Sequence, residues 1–289
     1  MQLIIDLSKY NTVTDWSKVK GAVAGAFLRV GYRGYGSGKV VADVKFKEFA
    51  TACKRVGLPF GIYFMSQAIN EAEAEEEAVY SVNAAKAYGA TLPIIIDSED
   101  GDGTARVVRA DGLSQRQRTN VAKAFCAKVE QLGYKAGVYA SESWFNSRLI
   151  YDELINYYIW VADYGKNTGV KVSTIALKKY DLHQYTSQAN VAGVNGRCDL
   201  SECYVDLGIK SVTEVKAETE TEEVYNMPTI KKGSKGKAVK VWQIIVGAEP
   251  DGIYGAKTEA ATKTFQKNNG LTVDGIVGRN SWKAGLESV

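Results

Sequence analysis

The segment LPIIIDSED at positions 92–100 decides the fold class. Its apolar run predicts a buried strand of a parallel sheet, with Asp97 and Glu99 at the carboxyl end of that strand. Residues two apart on an extended strand project from the same face, so the two carboxyl groups are predicted to share one pocket. In α/β barrels this end carries the active site. A D-x-E pair alone also fits a helix cap or an ion pair, so other residues must decide between these interpretations.

Short apolar strands alternate with helical patterns on both sides of this segment. Amphipathic stretches at 46–57, 70–89 and 114–133 each end in glycine, as helices commonly do. The alternation predicts βα units and a parallel sheet, that is, an α/β fold. After residue 170 the pattern contains strands without helices between them, so the barrel is expected to close with such strands. The predicted strands are LIIDLS (3–8), AGAFLRVGY (24–32), PFGIYFMS (59–66), LPIIIDSED (92–100), KAGVYAS (135–141), YYIWVADY (157–164), DLHQYT (181–186) and GRCDLSECYVDL (196–207).

Two further acids stand at predicted strand ends. Asp6 ends the first strand, and Asp199 lies in the last strand-like segment. Either residue alone fits a cap, a turn or an exposed strand position. Barrel closure would bring both to the rim that carries Asp97 and Glu99, and four converging acids favour a functional site. Crowding and burial push the pKa values of such carboxyl groups apart, which is what glycoside hydrolysis requires of an acid and its ionised partner.

Aromatic residues recur near the same strand ends. Sugar rings stack on such side chains, and phenol groups add hydrogen bonds. About half of them are expected to be packing residues instead. The preferred binders are Tyr63, Tyr139 and Trp160, with Tyr32 a further candidate; Tyr164 and Tyr185 complete the set.

The composition limits the available chemistry. The chain has one histidine, His183, and four scattered cysteines with no C-x-x-C pair. Neither a zinc site, nor a disulfide framework, nor a histidine-based acyl-transfer triad is indicated, so carboxylates must carry any hydrolysis. The longest apolar runs are far shorter than the roughly 20 residues of a membrane span, so no membrane insertion is expected.

The charge distribution predicts two domains with separate partners. Residues 211–227 contain five glutamates and one lysine with few large apolar side chains, which is the composition of a linker. Residues 228–289 contain ten Lys or Arg against five Asp or Glu, whereas the preceding 227 residues contain 26 against 28. We therefore predict a catalytic domain over 1–210 and a small basic domain over 228–289. Its positive charge favours an anionic polymer as partner, and nucleic acid is a poorer interpretation of that charge.

The first 208 residues resemble glycoside hydrolase family 25, the muramidases of phage endolysins and bacterial autolysins. The motifs that carry the resemblance are D-L-S with D-W-x-x-V-K over 6–20, G-L-P-F-G-I-Y-F at 57–64, I-I-I-D-S-E at 94–99, W-V-A-D-Y at 160–164 and H-Q-Y at 183–185. The resemblance implies a TIM-like barrel of five βα units followed by three further strands. It also implies hydrolysis of the β-1,4 bond from N-acetylmuramic acid to N-acetylglucosamine in peptidoglycan, with no cofactor.

The resemblance also implies roles for individual residues. By this resemblance, Glu99 would be the general acid/base. Asp97 and Asp6 would stabilise the transition state, and Asp199 would line the pocket. Tyr63 and Gln184 would hold the substrate. Members of the family are usually retaining, and Asp97 would either orient the substrate's own 2-acetamido group or act as the nucleophile, a choice that stays open. Phe64 stands where the family often has histidine.

The tail resembles the three-helix peptidoglycan-binding domain of wall hydrolases. Its helices are predicted at 235–247, 256–270 and 278–286, and the paired turns D-G-I-Y-G (251–255) and D-G-I-V-G (274–278) make this match fairly specific. Three aromatic residues of these helices are expected in the core, because a domain of about 55 residues needs large side chains to fill it. They are Trp242, Phe265 and Trp282.

Three alternatives remain beside a muramidase with a targeting domain. The chain could be a non-catalytic wall-binding protein, although retention of all four acids favours catalysis. An amidase or peptidase would need zinc ligands or an activated cysteine, and a chain whose one histidine is His183 does not fit that class. The start MQLIIDLSKY lacks the features of a secretory signal, which favours a phage endolysin made in the host cytoplasm and acting on the wall after release; a trimmed signal would favour a bacterial autolysin. A monomer is expected.

Overall fold

The computed structural model describes residues 2–101, 109–171, 173–209 and 227–286. The chain divides into two compact units, Met1–Ile209 and Lys210–Val289. The expected linker at 211–227 lies almost entirely outside the described residues. Within the described ranges, no helix is long and apolar enough to cross a membrane.

The first unit contains eleven strands and five α-helices among its described residues. The strands are β1 (Gln2–Leu7), β2 (Thr12–Val13), β3 (Gly25–Arg33), β4 (Val40–Ala42), β5 (Phe60–Met65), β6 (Ile94–Asp97), β7 (Ala136–Ser141), β8 (Tyr158–Ala162), β9 (Leu182–Ala189), β10 (Val194–Asn195) and β11 (Cys198–Cys203). The helices are α1 (Trp16–Ala22), α2 (Phe46–Val56), α3 (Glu71–Tyr88), α4 (Gln115–Gln131) and α5 (Glu142–Ser147), and a short 3₁₀ helix spans Tyr151–Glu153.

Eight of these strands form a closed barrel. Their order is β1, β11, β9, β8, β7, β6, β5, β3, and the pairing of β1 with β3 closes the ring. Seven strands of the ring run in the same direction, namely β1, β3, β5, β6, β7, β8 and β9. The eighth, β11, is antiparallel to both of its neighbours, β1 and β9. The helices α1 to α5 follow β1, β3, β5, β6 and β7. The expectation of five βα units followed by three further strands is therefore confirmed.

Local sequence signals explain where the helices begin and end. The Asn70 side chain accepts a hydrogen bond from Glu73 N and starts α3, and Ser114 forms a capping box with Gln117 at the start of α4. Gly57 and Gly89 end α2 and α3 in the left-handed conformation, which costs glycine no steric strain. Local signals therefore mark the end of α2, both ends of α3 and the start of α4.

Two apolar layers hold the barrel. The outer layer lies between helices and strands, and small residues such as Ala74 and Ala78 let α3 approach the barrel closely. The inner layer fills the barrel around Trp160, whose ring centroid lies 4.8 Å from that of Phe27 and 5.0 Å from that of Tyr139. Because the interior is filled with side chains, any ligand must bind at one end of the barrel.

The described residues of the second unit, 227–286, contain three helices, which confirms the predicted class of the tail. They are α6 (Lys237–Ile245), α7 (Ala256–Asn268) and α8 (Arg279–Leu286). The Trp242 ring lies 5.2 Å from both Phe265 and Trp282, centroid to centroid, and the two tryptophans are fully buried. These aromatic residues are therefore core, as expected.

The two D-G-I turns are held by equivalent glutamines. Gln243 donates to Asp251 Oδ1 and to Ile253 O, and its amide oxygen accepts from Gly252 N. Gln266 repeats this pattern with Asp274, Ile276 and Gly275. The sequence repeat is therefore a structural repeat, in which a buried amide fixes each turn.

Gly61 of β5 is predicted to tolerate no side chain. A Cβ atom there would lie 2.4 Å from Phe27 Cε1 and 2.6 Å from Pro93 O, and a backbone oxygen cannot move away cheaply. Gly61→Ala should therefore lower the free energy of unfolding by about 1–3 kcal/mol, measured by denaturant unfolding. Gly21→Ala is the control, since nothing lies within 4 Å and alanine favours the helix by up to about 1 kcal/mol. Equal effects of the two changes would contradict this packing.

Candidate active site

A cavity of about 380 Å³ opens at the carboxyl ends of the parallel strands. It is large enough for a sugar residue, and acids, phenol groups and one arginine surround it. Eight of the nine predicted site residues line it: Asp6, Tyr63, Asp97, Glu99, Tyr139, Trp160, Gln184 and Asp199. Its other lining residues are Ser8, Tyr10, Arg29, Tyr35, Met65, Gly101 and Tyr164.

Strand pairing brings the first and last acids of the barrel together. Asp6 of β1 lies opposite Asp199 of β11 in the antiparallel ladder. The two side chains share a hydrogen bond, which requires a proton on one of them. Burial, and then the charge of Asp199, raise the pKa of Asp6 well above its usual value. Burial raises the pKa of Asp199 to about 6, while the hydrogen bond from Asp6 opposes that shift.

Asp97 and Glu99 occupy the end of β6 and the loop that follows it. Asp97 is buried, and its Oδ1 has no hydrogen-bond partner among the described residues. Burial, and then the charge of Glu99, raise the pKa of Asp97. Glu99 is half-buried and lines the cavity. Burial, followed by the charge of Asp199, raises the pKa of Glu99 to about 7, so near neutral pH this group can donate a proton or accept one.

Gln184 connects the acids to the aromatic wall. Its amide nitrogen donates to Asp6 Oδ2 at 2.9 Å. The phenol groups of Tyr139 and Tyr164 donate to its amide oxygen at 2.7 and 2.6 Å. These three contacts fix the orientation of the amide and hold Asp6 in place. Tyr164, one of the six aromatic residues near the strand ends, therefore belongs to the site.

Trp160 and Tyr139 form the floor of the cavity. Both are buried, and Trp160 Nε1 donates to Ser201 Oγ at 3.0 Å. Tyr63 is half-buried and meets Trp160 edge to face, with ring centroids 6.3 Å apart. A sugar bound here would therefore contact aromatic rings and phenol groups.

Tyr32 and Tyr185 do not line the cavity. Tyr32 lies three residues beyond Arg29 on β3, about 10 Å further along an extended chain, and Lys9 Nζ lies 5.4 Å from its ring centroid. Tyr185 follows Gln184 on β9, so it faces the outer apolar layer. The geometry gives no support to a substrate contact by Tyr32.

Arg29 is the residue that the sequence interpretation missed. It is buried on β3, and its Nε lies 2.7 Å from Asp43 Oδ2. Its Nη2 has no hydrogen-bond partner among the described residues. Its charge opposes the raised pKa values of Asp97 and Glu99. An arginine in the otherwise apolar strand AGAFLRVGY was the available signal, because buried arginines are rare unless paired.

The described part of the chain contains no candidate metal site. No group of three or more His, Cys, Asp or Glu side chains there could hold an ion. All four cysteines are buried and unpaired, and burial raises the pKa of Cys53 and of Cys198 to about 12.

A barrel that gathers carboxyl groups of unequal acidity and aromatic side chains at this rim defines a glycoside hydrolase. Residues 5–194 match the family described as "Glycosyl hydrolases family 25", and the chain belongs to this family. Residues 240–284 match the family described as "Putative peptidoglycan binding domain".

Individual relatives agree with this assignment. The "Autolytic lysozyme" of Clostridium acetobutylicum is 24% identical over 245 residues, which are 84% of this chain and 67% of that protein. The modular autolysin LytC of Streptococcus pneumoniae, solved with a synthetic peptidoglycan ligand, is 26% identical with a TM-score of 0.61, over 70% of this chain and 46% of that one. This chain therefore matches less than half of the length of LytC.

A solved catalytic domain provides a further comparison. The domain from endolysin ply40 of the Listeria monocytogenes bacteriophage P40 is 25% identical, with a TM-score of 0.60. The match covers 72% of this chain and 95% of the other. Almost the whole of that separately solved domain is therefore matched.

The raised pKa of Glu99 predicts a pH-dependent effect on stability. The folded chain holds this proton up to a pH of about 7, whereas the unfolded chain releases it near 4.5. Folding therefore loses stability as the pH rises through this window. Glu99→Gln, which cannot ionise, should have a higher melting temperature than the unmodified chain at pH 8, and the difference should shrink at pH 4. The exposed Glu48→Gln is the control, and a pH-independent difference for Glu99→Gln would contradict the prediction.

Proposed function

We propose that the protein is a peptidoglycan muramidase that hydrolyses the β-1,4 bond between N-acetylmuramic acid and N-acetylglucosamine. The observation that carries the proposal is the cavity in which Glu99 has a pKa of about 7 beside the buried Asp97. Membership of glycosyl hydrolase family 25 supports it. So do the lysozyme name of the clostridial relative and the peptidoglycan ligand of the pneumococcal autolysin.

In this proposal Glu99 is the general acid. A carboxyl group with a pKa near 7 is protonated in a large fraction of molecules at neutral pH, and it can pass that proton to the leaving glycosidic oxygen. After bond cleavage the same carboxylate accepts a proton from the attacking water. The rate should therefore fall as the pH rises above about 7, because the acid form is lost.

In this proposal Asp97 stabilises the positive charge that develops on the sugar in the transition state. Its Oδ1 is a buried acceptor without a partner among the described residues, so a bound substrate can satisfy it with a hydrogen bond from the 2-acetamido N–H. Such a contact would align the acetamido oxygen on the anomeric carbon and stabilise positive charge there. Asp6 and Asp199 lie opposite each other in the β1–β11 ladder, and Gln184 donates a hydrogen bond that holds Asp6 in position.

The second unit is proposed to hold the enzyme on the wall. Its match to a peptidoglycan-binding family supports this role, and its excess of Lys and Arg favours anionic wall polymers as an additional attraction. Attraction of this kind is screened by salt, with a Debye length of about 8 Å at physiological ionic strength. Binding through a specific pocket would depend much less on salt.

The catalytic assignment is tested with purified peptidoglycan and mass spectrometry of the fragments. The unmodified chain should produce new reducing ends on N-acetylmuramic acid. Glu99→Gln should lower the rate by roughly 10²-fold or more, as loss of a positioned general acid does, and Asp97→Asn should also be severely impaired. The exposed Glu48→Gln is the control. Ends on N-acetylglucosamine would indicate a glucosaminidase, and free peptides would indicate an amidase or peptidase.

The targeting role is tested by ending the chain after residue 210. The truncated enzyme should hydrolyse small soluble glycan fragments at the rate of the full chain, because the cavity lies wholly within residues 6–199. It should bind and clear insoluble wall more slowly, and added salt should reduce the advantage of the full chain. Equal clearance by both forms at low and high salt would exclude the proposed role of the tail.

A further inference from the structure

We propose that Arg29 recognises the lactyl carbonyl or carboxylate oxygen that distinguishes N-acetylmuramic acid from N-acetylglucosamine. This inference rests on the proposed muramidase function and assigns the sugar specificity of the same cavity to one side chain. Arg29 lines the cavity and is 8% exposed. Its Nη2 donates to no atom of the described residues, which leaves a buried donor unsatisfied.

Asp43 fixes the Nε side of the Arg29 guanidinium group. Its Nε is bonded to Asp43 at 2.7 Å, and Asp43 itself accepts hydrogen bonds from the backbone nitrogens of Lys9 and Lys45 at 3.0 and 2.9 Å. These contacts use one side of the planar group. The remaining donors belong to a rigid fork, whose geometry suits a carboxylate or carbonyl oxygen.

The chemistry of the cavity favours a pure acceptor at this point. The other charged groups of the lining, namely Asp6, Asp97, Glu99 and Asp199, are acids that can accept hydrogen bonds from sugar hydroxyl and amide groups. Arg29 is the only cationic residue of the lining among the described residues. The lactyl group offers oxygens that only accept hydrogen bonds, and N-acetylglucosamine has no such group at the same carbon.

The position of Arg29 near the rim of the cavity favours the lactyl group over the other hydrogen-bond acceptors of the sugar as its partner. The Tyr10 ring centroid lies 5.1 Å from the Arg29 guanidinium carbon, and Tyr10 is 78% exposed. The Tyr10 ring therefore marks the side of the guanidinium group that is nearest to solvent. The lactyl group carries the stem peptide of peptidoglycan, which must leave the cavity toward solvent. A recognition group beside an exposed side chain fits this requirement, whereas the acetamido group needs no exit.

Two chemically matched substrates test the assignment. One is peptide-free glycan strand with its lactyl carboxylates, and the other is the same strand with those carboxylates reduced to alcohols. The unmodified enzyme should prefer the first by about tenfold or more in kcat/KM, as loss of a charge-assisted hydrogen bond implies. Arg29→Gln should lower kcat/KM on the first strand by about ten- to a hundredfold and remove the preference. Arg29→Lys should retain part of it.

Controls separate this role from a structural or purely electrostatic one. The double variant Arg29→Gln with Asp43→Asn removes both buried charges, and it should fold and also lack the preference. The exposed Arg55→Gln should leave kcat/KM and the preference unchanged. If Arg29→Gln slows both strands equally and only shifts the pH profile, Arg29 acts through the acids and the inference is wrong. If the unmodified enzyme cleaves neither strand nor peptidoglycan, the muramidase proposal itself fails.

Discussion

The antiparallel pairing of β1 with β11 is the constraint on which the site depends. It joins the first strand of the ring to the strand that comes last in the chain, and it sets Asp6 directly opposite Asp199. The two acids are almost two hundred residues apart in the chain, and this strand pairing brings them together. Because side chains alternate along a strand, a shift of one residue in this register would turn one of the acids away from the cavity. The register of a single strand pair therefore assembles half of the acid cluster.

The clustered acids oppose folding, and the rest of the barrel has to compensate. Burial raises the pKa values of Asp6, Asp97, Glu99 and Asp199 together, which means that ionising them in the folded state is unfavourable. The stabilising contribution comes from two apolar layers, whose aromatic centre around Trp160 lies directly beneath the acids. Strained or repulsive sites of this kind are retained where function needs them. The same burial that disfavours the ionised form of these carboxyl groups also raises the pKa of Glu99 to about 7.

Sequence reasoning could predict the fold and most of the candidate site for a physical reason. Strand periodicity and the ends of strands are local signals, and in a parallel barrel all carboxyl ends meet at one rim. The acids could therefore be placed together without a structure, whereas Gln184 was indicated only by the resemblance to glycoside hydrolase family 25. Tyr32 lies near a strand end in the sequence, but β3 continues to Arg33, and Tyr32 does not line the cavity. An arginine in an apolar strand is a local signal for Arg29, but the contacts of Arg29 with Asp43 and Tyr10 join separate parts of the chain and could not be predicted from either part alone.

The arrangement around Arg29 explains why a guanidinium, and not an ammonium group, suits this position. Four acids in a small cavity need a nearby cation to limit their mutual repulsion, and a lysine could supply that charge. An ammonium group bonded to Asp43 would, however, keep no donor in a fixed direction, because its charge is compact and its stem is flexible. In arginine, Nε holds Asp43 while Nη2 stays in the same rigid plane. One side chain can therefore moderate the acids and still present an oriented donor, which links the electrostatics of the site to its choice of sugar.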